Sequence, residues 1–196
     1  MILYLHGFRS SPLSYKARVL GAAVAEQGWA DRWVCPQLPE SPAAAIALCH
    51  QLIQKADLTD PTTELVIVGS SLGGYYAHVL AEHWGCKAAL FNPAVQAPRD
   101  LATQVGEHSY YHSDKPFVFL AEYVDELVAM QPPAATQPQR YYLLAASGDE
   151  VLNHHEMLQT FEGSQGMLIF GSDHGISDFD LYLAPVLHFM APSTGS

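Results

Sequence analysis

The stretch VIVGSSLGGYYAHVL, residues 66–80, places a glycine–serine corner between an apolar run and a segment with helical spacing. Ser71 is the centre of a G-x-S-x-G pattern, with Gly69 two positions before it and Gly73 two positions after it. A sharp strand-to-helix turn with a serine at its tip is typical of a nucleophile elbow, which needs glycines where strand and helix approach. We therefore predict that Ser71 is a nucleophile. A glycine–serine turn without a chemical role is the alternative.

The sequence around this corner predicts the fold class. Continuous apolar runs recur at residues 1–5, 65–68, 88–91, 141–146 and 167–170, with a weaker run at 33–35. Such runs are typical of strands buried on both faces of a parallel sheet. Helical spacing lies between them, and we predict helices from Ser11-Pro12 to about Gly28, from Ser41-Pro42 onward, over Leu72–Trp84 and over Ile176–Phe189. Alternating strands and helices predict an α/β fold with a doubly wound, mainly parallel sheet and helices on both faces.

The segment from about residue 94 to residue 140 interrupts the alternation, and we call it the insertion. It has no clean strand pattern, but it holds several aromatic residues and the proline-rich stretch QPPAATQPQ at 131–139. A connection of this length in a compact domain usually forms a lid or a binding element. The alternative is a partly helical connection packed on the sheet edge. We predict a single domain over residues 1–196 that carries this lid or insertion.

Ser71 needs partners, because a serine hydroxyl is a weak nucleophile until a base takes its proton. Loops that follow parallel strands meet at the carboxyl edge of the sheet. Asp149 follows the predicted strand at 141–146, and His174 follows the one at 167–170. We therefore predict a triad of Ser71, Asp149 and His174. The neighbouring carboxylates, Glu150 and Asp173, are the alternative acids.

Two backbone amides are candidates for an oxyanion hole. The amide of Leu72 opens the helix after Ser71, where N–H groups have no partner within the helix. The amide of Phe8 lies in the sequence His6-Gly7-Phe8, directly after the first predicted strand. We predict that both amides face the reacting group. We expect His6 to order its loop through hydrogen bonds rather than to act as a base.

Composition limits the classes of partner. Lysine and arginine total 9 against 20 aspartates and glutamates, a net charge of −11, which disfavours nucleic acid. The cysteines at 35, 49 and 86 form no CxxC pair, and the spacing of His108, His112 and Asp114 matches no strong metal-ligand pattern. No apolar run approaches the roughly 20 residues that cross a bilayer, and no basic leader precedes the first strand. We expect a cytoplasmic protein without a membrane span, metal or cofactor; the sequence does not indicate its oligomeric state.

Several motifs resemble those of one family over essentially the whole chain. They are HGFRSSP at 6–12, PQLP at 36–39, VGSSLGGYYA at 68–77, NPAV at 92–95, GDEVL at 148–152 and DHGISDF at 173–179. Together they resemble the YqiA/YcfP-like esterases (UPF0227-type), a small branch of the α/β-hydrolase superfamily. The resemblance implies a minimal hydrolase fold that lacks the first strands, and a triad of Ser71, Asp149 and His174. No motif of this branch matches residues 98–140.

The triad and the resemblance together predict a serine hydrolase. We expect it to cleave carboxylic esters of small molecules through an acyl-enzyme intermediate, with His174 as base and Asp149 holding its tautomer. An acyl-CoA thioesterase using the same triad is one alternative. A hydrolase fold that binds a partner without turnover is the other.

Overall fold

The computed structural model of the protein describes residues 1–192. Its strands are β1 Ile2–Leu5, β2 Trp33–Val34, β3 Val66–Ser70, β4 Lys87–Phe91, β5 Gly106–Ser109, β6 Pro116–Phe119, β7 Tyr141–Ala146 and β8 Gln165–Ile169. Its α-helices are α1 Tyr15–Glu26, α2 Pro42–Lys55, α3 Pro61–Glu64, α4 Leu72–Trp84, α5 Ala97–Leu101, α6 Ala121–Ala129, α7 His154–Thr160 and α8 Leu183–Met190. None of the helices described in residues 1–192 has both the length and the apolar character needed to span a membrane.

Six strands form one parallel sheet in the order β2-β1-β3-β4-β7-β8. The six apolar runs of the sequence are these strands, each end within two residues of the prediction. β1, β3 and β7 are buried at every position. Burial on both faces is why their sequences do not alternate. The doubly wound α/β fold class is therefore confirmed.

Successive strand residues point to opposite faces of the sheet and join two separate cores. Leu3 packs in a cluster with Cys49 of α2 and Leu80 of α4. Its neighbour Ile2 packs in the other cluster, with Leu20 of α1 and residues of α8. The sheet is thus covered by α2 and α4 on one face and by α1 and α8 on the other.

Two predicted helix boundaries are wrong. α1 begins at Tyr15 rather than at Ser11-Pro12, because the Ser11 hydroxyl accepts a hydrogen bond from the Leu13 amide (3.1 Å) and holds a turn there. The last predicted helix, 176–189, is instead a 3₁₀ turn over Phe179–Tyr182 followed by α8. Proline at 185 has no N–H and would clash with the preceding helical turn, so an α-helix can begin only shortly before it.

The insertion contains a strand pair that its sequence did not predict. β5 and β6 form a small antiparallel sheet of their own, apart from the main sheet. β5 has the sequence GEHS and alternates between partly exposed and exposed positions, so it lacks the apolar signal of the main strands. β6 contributes the buried Phe117 and Phe119 to the core on the α2 face. Aromatic packing from one strand holds the pair in place.

Candidate active site

The corner between β3 and α4 is a tight turn centred on Ser71. Ser71 has φ 56° and ψ −121°, a conformation that residues other than glycine rarely adopt. Two backbone hydrogen bonds hold it there. Its amide donates to the carbonyl of Phe91 and its carbonyl accepts from the amide of Ala94, both at 3.0 Å. The end of β4 therefore fixes the position of the serine.

The glycines around Ser71 have no room for a side chain. A Cβ atom on Gly69 would lie 2.2 Å from the carbonyl oxygen of Gly73, and one on Gly73 would lie 2.0 Å from that of Leu5. A Cβ on Gly74 would lie 2.7 Å from the Cβ of Pro93. Backbone packs on backbone here, so the close approach of strand and helix requires glycine.

The three predicted triad side chains meet at the carboxyl edge of the sheet. Ser71 Oγ lies 3.1 Å from Nε2 of His174, and Nδ1 of the same imidazole lies 2.8 Å from Oδ2 of Asp149. The aspartate side chain is fully buried, whereas the histidine is 21% exposed. This geometry allows the hydroxyl to donate to the imidazole while the imidazole Nδ1–H donates to the carboxylate.

Asp149 is held by more than the histidine. Its Oδ1 accepts hydrogen bonds from the amides of Val151 and Leu152, both at 2.8 Å. Burial raises the pKa of this carboxyl, but the hydrogen bonds and charge of His174 together with the two amides outweigh burial, and the pKa lies below its ordinary value. Asp149 is therefore ionised at neutral pH and selects the tautomer of His174 with the proton on Nδ1.

The alternative acids contact other groups. Glu150 accepts a hydrogen bond from the backbone amide of His174 at 3.0 Å, and Asp173 accepts one from the amide of Ser177 at 2.8 Å. Neither carboxylate is hydrogen-bonded to the imidazole ring. Both instead stabilise the loop that carries the histidine.

The loop after β1 lies directly against the serine. A Cβ on Gly7 would be 3.2 Å from Cβ of Ser71 and 3.7 Å from its Oγ. Within residues 1–192, the amides of Phe8 and Leu72 donate to no protein acceptor. Two free N–H groups therefore lie close to Ser71.

The Phe8 ring packs edge-on against Phe117 and Phe119 of the insertion, with centroids 5.1 and 5.2 Å apart.

His6 orders this loop. Its Nδ1 donates to the carbonyl of Gly7 at 3.0 Å, and its Nε2 accepts from the amide of Leu38 at 3.1 Å. Burial lowers the pKa of His6, so the ring is neutral with both nitrogens occupied. The HG and PQLP motifs are thereby joined to each other.

Asn92 is a residue of the site that the sequence reasoning missed. It is fully buried with φ 41°, and its Oδ1 accepts from the amide of Ala146 at 2.8 Å. Its Nδ2 donates to the carbonyls of Asp173 and His174, at 3.1 and 3.0 Å. One amide thus links the ends of two strands to the histidine loop. The signal was available, because NPAV directly follows a predicted strand and asparagine tolerates a positive φ.

Two further histidines, His78 and His108, have partners outside the triad. His78 packs against Tyr141 and Phe161, with centroids 5.5 and 4.8 Å apart, and burial lowers its pKa to about 4. His108 is hydrogen-bonded to the carbonyl of Gln104 at 2.7 Å. Within the described residues, 1–192, no group of three or more histidine, cysteine or carboxylate side chains is arranged to hold a metal ion.

A cleft of about 850 Å³ opens above Ser71 and His174. One wall is the loop after β1, and another is the loop at 150–152. The insertion supplies a third wall, with Arg99, Asp100, Leu101, Thr103, Gln104 and Tyr111. The space suits a small molecule that is largely enclosed by protein.

Solved structures with this architecture include several hydrolases. Est1E from Butyrivibrio proteoclasticus, solved with ferulic acid bound, superposes with a TM-score of 0.65 at 14% identity and covers 96% of this chain and 87% of its own. A structure described for the metagenome-derived lipolytic enzymes LipS and LipT gives a TM-score of 0.68 at 17% identity, with coverage of 96% and 92%. Alpha/beta hydrolase domain-containing protein 10 from mouse gives 0.64 at 15%, with coverage of 97% and 90%.

Identities this low establish the fold alone, and that fold is the α/β-hydrolase fold. A closer relation comes from the sequence itself. Residues 1–191 match the model of the family described as Uncharacterised protein family (UPF0227). The resemblance predicted from the motifs is confirmed, and the chain belongs to the UPF0227 family.

Proposed function

We propose that the protein is a serine esterase that hydrolyses carboxylic esters of small molecules. The observation that carries the proposal is the continuous chain of hydrogen-bonding distances from Ser71 Oγ through His174 to the buried Asp149, at the floor of an open cleft. The structures that share this fold include proteins described as an esterase domain and as lipolytic enzymes, which supports ester chemistry.

In the first half-reaction, Ser71 Oγ attacks the carbonyl carbon of the ester as Nε2 of His174 takes the hydroxyl proton. The negative charge that develops on the carbonyl oxygen is stabilised by the free amides of Phe8 and Leu72. The ionised Asp149 stabilises the imidazolium. The C–O bond to the alcohol then breaks, and His174 donates its proton to the departing oxygen.

The second half-reaction repeats this sequence with water. His174 accepts a proton from a water molecule, which attacks the acyl-enzyme at its carbonyl carbon. The same two amides stabilise the second oxyanion. Collapse of this intermediate releases the carboxylic acid, and Ser71 regains its proton. No step needs a metal or an organic cofactor.

The insertion is the element that we propose selects the substrate, as a lid over the cleft. Its residues Arg99–Leu101, Thr103, Gln104 and Tyr111 border the space above the triad, whereas the triad itself lies on other loops. The chemistry and the choice of acyl group are therefore assigned to different parts of the chain.

The test combines covalent labelling with turnover. A fluorophosphonate probe is expected to label the wild type at Ser71, because only an activated serine reacts. Ser71→Ala is expected to abolish labelling and to lower turnover of p-nitrophenyl esters by about 10⁶-fold while the circular dichroism spectrum stays unchanged. Ester chain lengths from two to sixteen carbons and matched acyl-CoA substrates, measured side by side, distinguish an esterase from a thioesterase.

Ser70→Ala is the matched control. This adjacent serine makes no side-chain hydrogen bond within residues 1–192, and its variant is expected to keep the label. Retained turnover in Ser71→Ala would contradict the triad. A wild type that neither labels nor turns over any ester would identify the fold as a non-catalytic binding module.

A further inference from the structure

Lys16 is a buried cation at the edge of the proposed active site. It is the second residue of α1, only 8% of its surface is exposed, and it lines the same cleft as Ser71 and His174. Its Nζ donates a hydrogen bond to the carbonyl of Gly175, the residue after the histidine. The ammonium group is thus hydrogen-bonded to the residue that directly follows the proposed base.

The charge of Lys16 has no counter-ion in contact with it. Within residues 1–192, no carboxylate lies within 4.0 Å of its Nζ, and Gly175 is its one hydrogen-bond acceptor. An ammonium group has three N–H donors, and buried lysines are nearly always paired. The nearby carboxylates of Asp149 and Asp173 already bond to other groups. Two donors of Lys16 therefore have no acceptor among residues 1–192.

Burial affects the protonation state of Lys16. Burial lowers its pKa to about 8, while the more distant charges of Asp173 and Asp149 favour the charged form. At pH 7 most of the molecules still carry the positive charge. An anion placed next to Nζ would offset the cost of burying this charge.

A buried hydroxyl lies two residues before the lysine in the chain. Ser14 also lines the cleft, and its Oγ is buried and makes no hydrogen bond of good geometry within residues 1–192, although the Tyr4 hydroxyl is near enough to interact with it. Buried hydroxyl groups normally find a partner. Because the Ser14 Oγ has almost no surface open to the cleft, a ligand oxygen at this end would be bound by Lys16.

The other cation of the cleft wall is already neutralised. Arg99 is paired with Glu156 at 2.8 Å and with Asp100 at 2.8 Å. With a net charge of −11, the rest of the protein repels anions. A preference for an anionic substrate would therefore depend on Lys16.

We propose that Lys16 forms a subsite for a carboxylate carried by the ester substrate, a few bonds from the ester group that Ser71 attacks. The inference rests on the proposed esterase function and specifies its substrate class. The substrate is an ester with a free carboxylate on its acyl or its alcohol part.

Two matched pairs of esters test the subsite. For the acyl side, the pair is the mono-p-nitrophenyl ester of adipic acid and p-nitrophenyl hexanoate, which have equal chain length. For the alcohol side, the pair is 4-acetoxybenzoate and its neutral methyl ester. Each pair is measured with the wild type, with Lys16→Met and with Ser71→Ala as the blank.

The wild type is expected to favour the carboxylate member of at least one pair. Lys16→Met is expected to lower kcat/KM for that member about 10- to 100-fold, the range for a lost charge-assisted hydrogen bond, chiefly through KM. The neutral partner should change less than about threefold. The two esters of the alcohol pair differ in leaving group. The change from wild type to Lys16→Met is therefore compared between the two esters, which cancels that difference.

Each other outcome has a separate meaning. An equal loss of kcat for both members of a pair in Lys16→Met overturns the subsite, because the lysine would then only position the histidine loop. Hydrolysis of both members by the wild type without a carboxylate preference also overturns it, and leaves the esterase function standing. A wild type that hydrolyses no ester overturns the proposed function and the subsite together.

A measurement on the unaltered protein covers the case in which Lys16→Met fails to fold. Benzoate is expected to inhibit hydrolysis of a neutral p-nitrophenyl ester competitively, whereas benzamide, which has the same shape without the charge, is not. Equal inhibition by both compounds, or by neither, overturns the subsite.

Discussion

The elbow at residues 69–74 and the insertion at 94–140 both border the cleft, but different contacts hold them. At the elbow, backbone packs against backbone, and a Cβ on Gly73 would lie 2.0 Å from the Leu5 carbonyl oxygen. The insertion is held by side chains. Glu126 of α6, for example, accepts hydrogen bonds from the Ser41 hydroxyl at 2.8 Å and the Ala43 amide at 2.9 Å.

Two more glutamates attach the insertion in the same way. Glu40 accepts from the Tyr110 hydroxyl at 3.3 Å, and Glu82 accepts from the hydroxyl of Thr136 and pairs with Arg140 at 3.1 Å. A steric requirement of the backbone leaves a local pattern in the sequence, whereas a side-chain contact between distant residues leaves none. The elbow should therefore tolerate almost no substitution. Each single substitution in the contacts of the insertion should lower the free energy of unfolding by a smaller amount.

The largest effect is expected from Gly73→Ala. Its new Cβ would overlap the backbone of β1, which is fixed by pairing with β3, so we expect a loss of about 3 kcal/mol or more in the free energy of unfolding. Urea denaturation measures it. The control is Gly28→Ala, where φ is +76° but nothing lies within 4 Å, and where about 1 kcal/mol is expected. Equal losses in both variants would contradict the close approach at the elbow.

An intermediate effect is expected from Asn92→Ala, which removes the hydrogen bonds that link the ends of β4 and β7 to the histidine loop. The Ala146 amide would lose its acceptor, so we expect a loss of about 2 kcal/mol in stability. A shift of His174 should also lower kcat by about tenfold to a hundredfold with little change in KM.

Asn153→Ala is the matched control for this prediction. Its side chain caps α7 by accepting from the His155 amide at 2.9 Å, so its loss should cost about 1 kcal/mol and leave kcat unchanged. If the two asparagine variants have the same kcat, Asn92 has no part in positioning the histidine.

The smallest effect is expected from Glu82→Gln, which changes a side chain that contacts Thr136 and Arg140 of the insertion. Burial raises the pKa of Glu82, but hydrogen bonds from Thr136 and Tyr141 and the charge of Arg140 outweigh it, and the pKa is lower than the ordinary 4.5. A lowered pKa means that the ionised group stabilises the fold above pH 4.5 and that this contribution is lost as pH falls through the folded-state pKa.

Urea denaturation at pH 7 and at pH 3 measures this contribution. We expect Glu82→Gln to cost about 1 to 2 kcal/mol at pH 7, and the difference from wild type to shrink at the lower pH. Glu162→Gln, which changes an exposed carboxylate, should cost little at either pH. A cost for Glu82→Gln that is the same at both pH values would refute the role of its charge.

The sequence predicted the parts of the molecule that depend on local pattern. The continuous apolar runs located the six main strands, and the order of loops at one sheet edge predicted that Ser71, Asp149 and His174 lie together. It could not predict β5, whose residues are mostly polar and which exists because β6 pairs with it. For Asn92 a local signal existed in NPAV, but its role depends on three hydrogen bonds to residues far apart in the chain, which the sequence does not show.

The ring of Phe8 packs against Phe117 and Phe119, so the amide that we assign to the oxyanion hole is supported by the insertion that we assign to substrate choice. A shift of β6 would therefore also shift the Phe8 amide. During evolution, a change in this hairpin that admits a new acyl group also displaces the amide that promotes its cleavage. New specificity should appear first in variants that leave the two phenylalanines in place, and transplanting the whole insertion from a relative should alter the rate for every substrate.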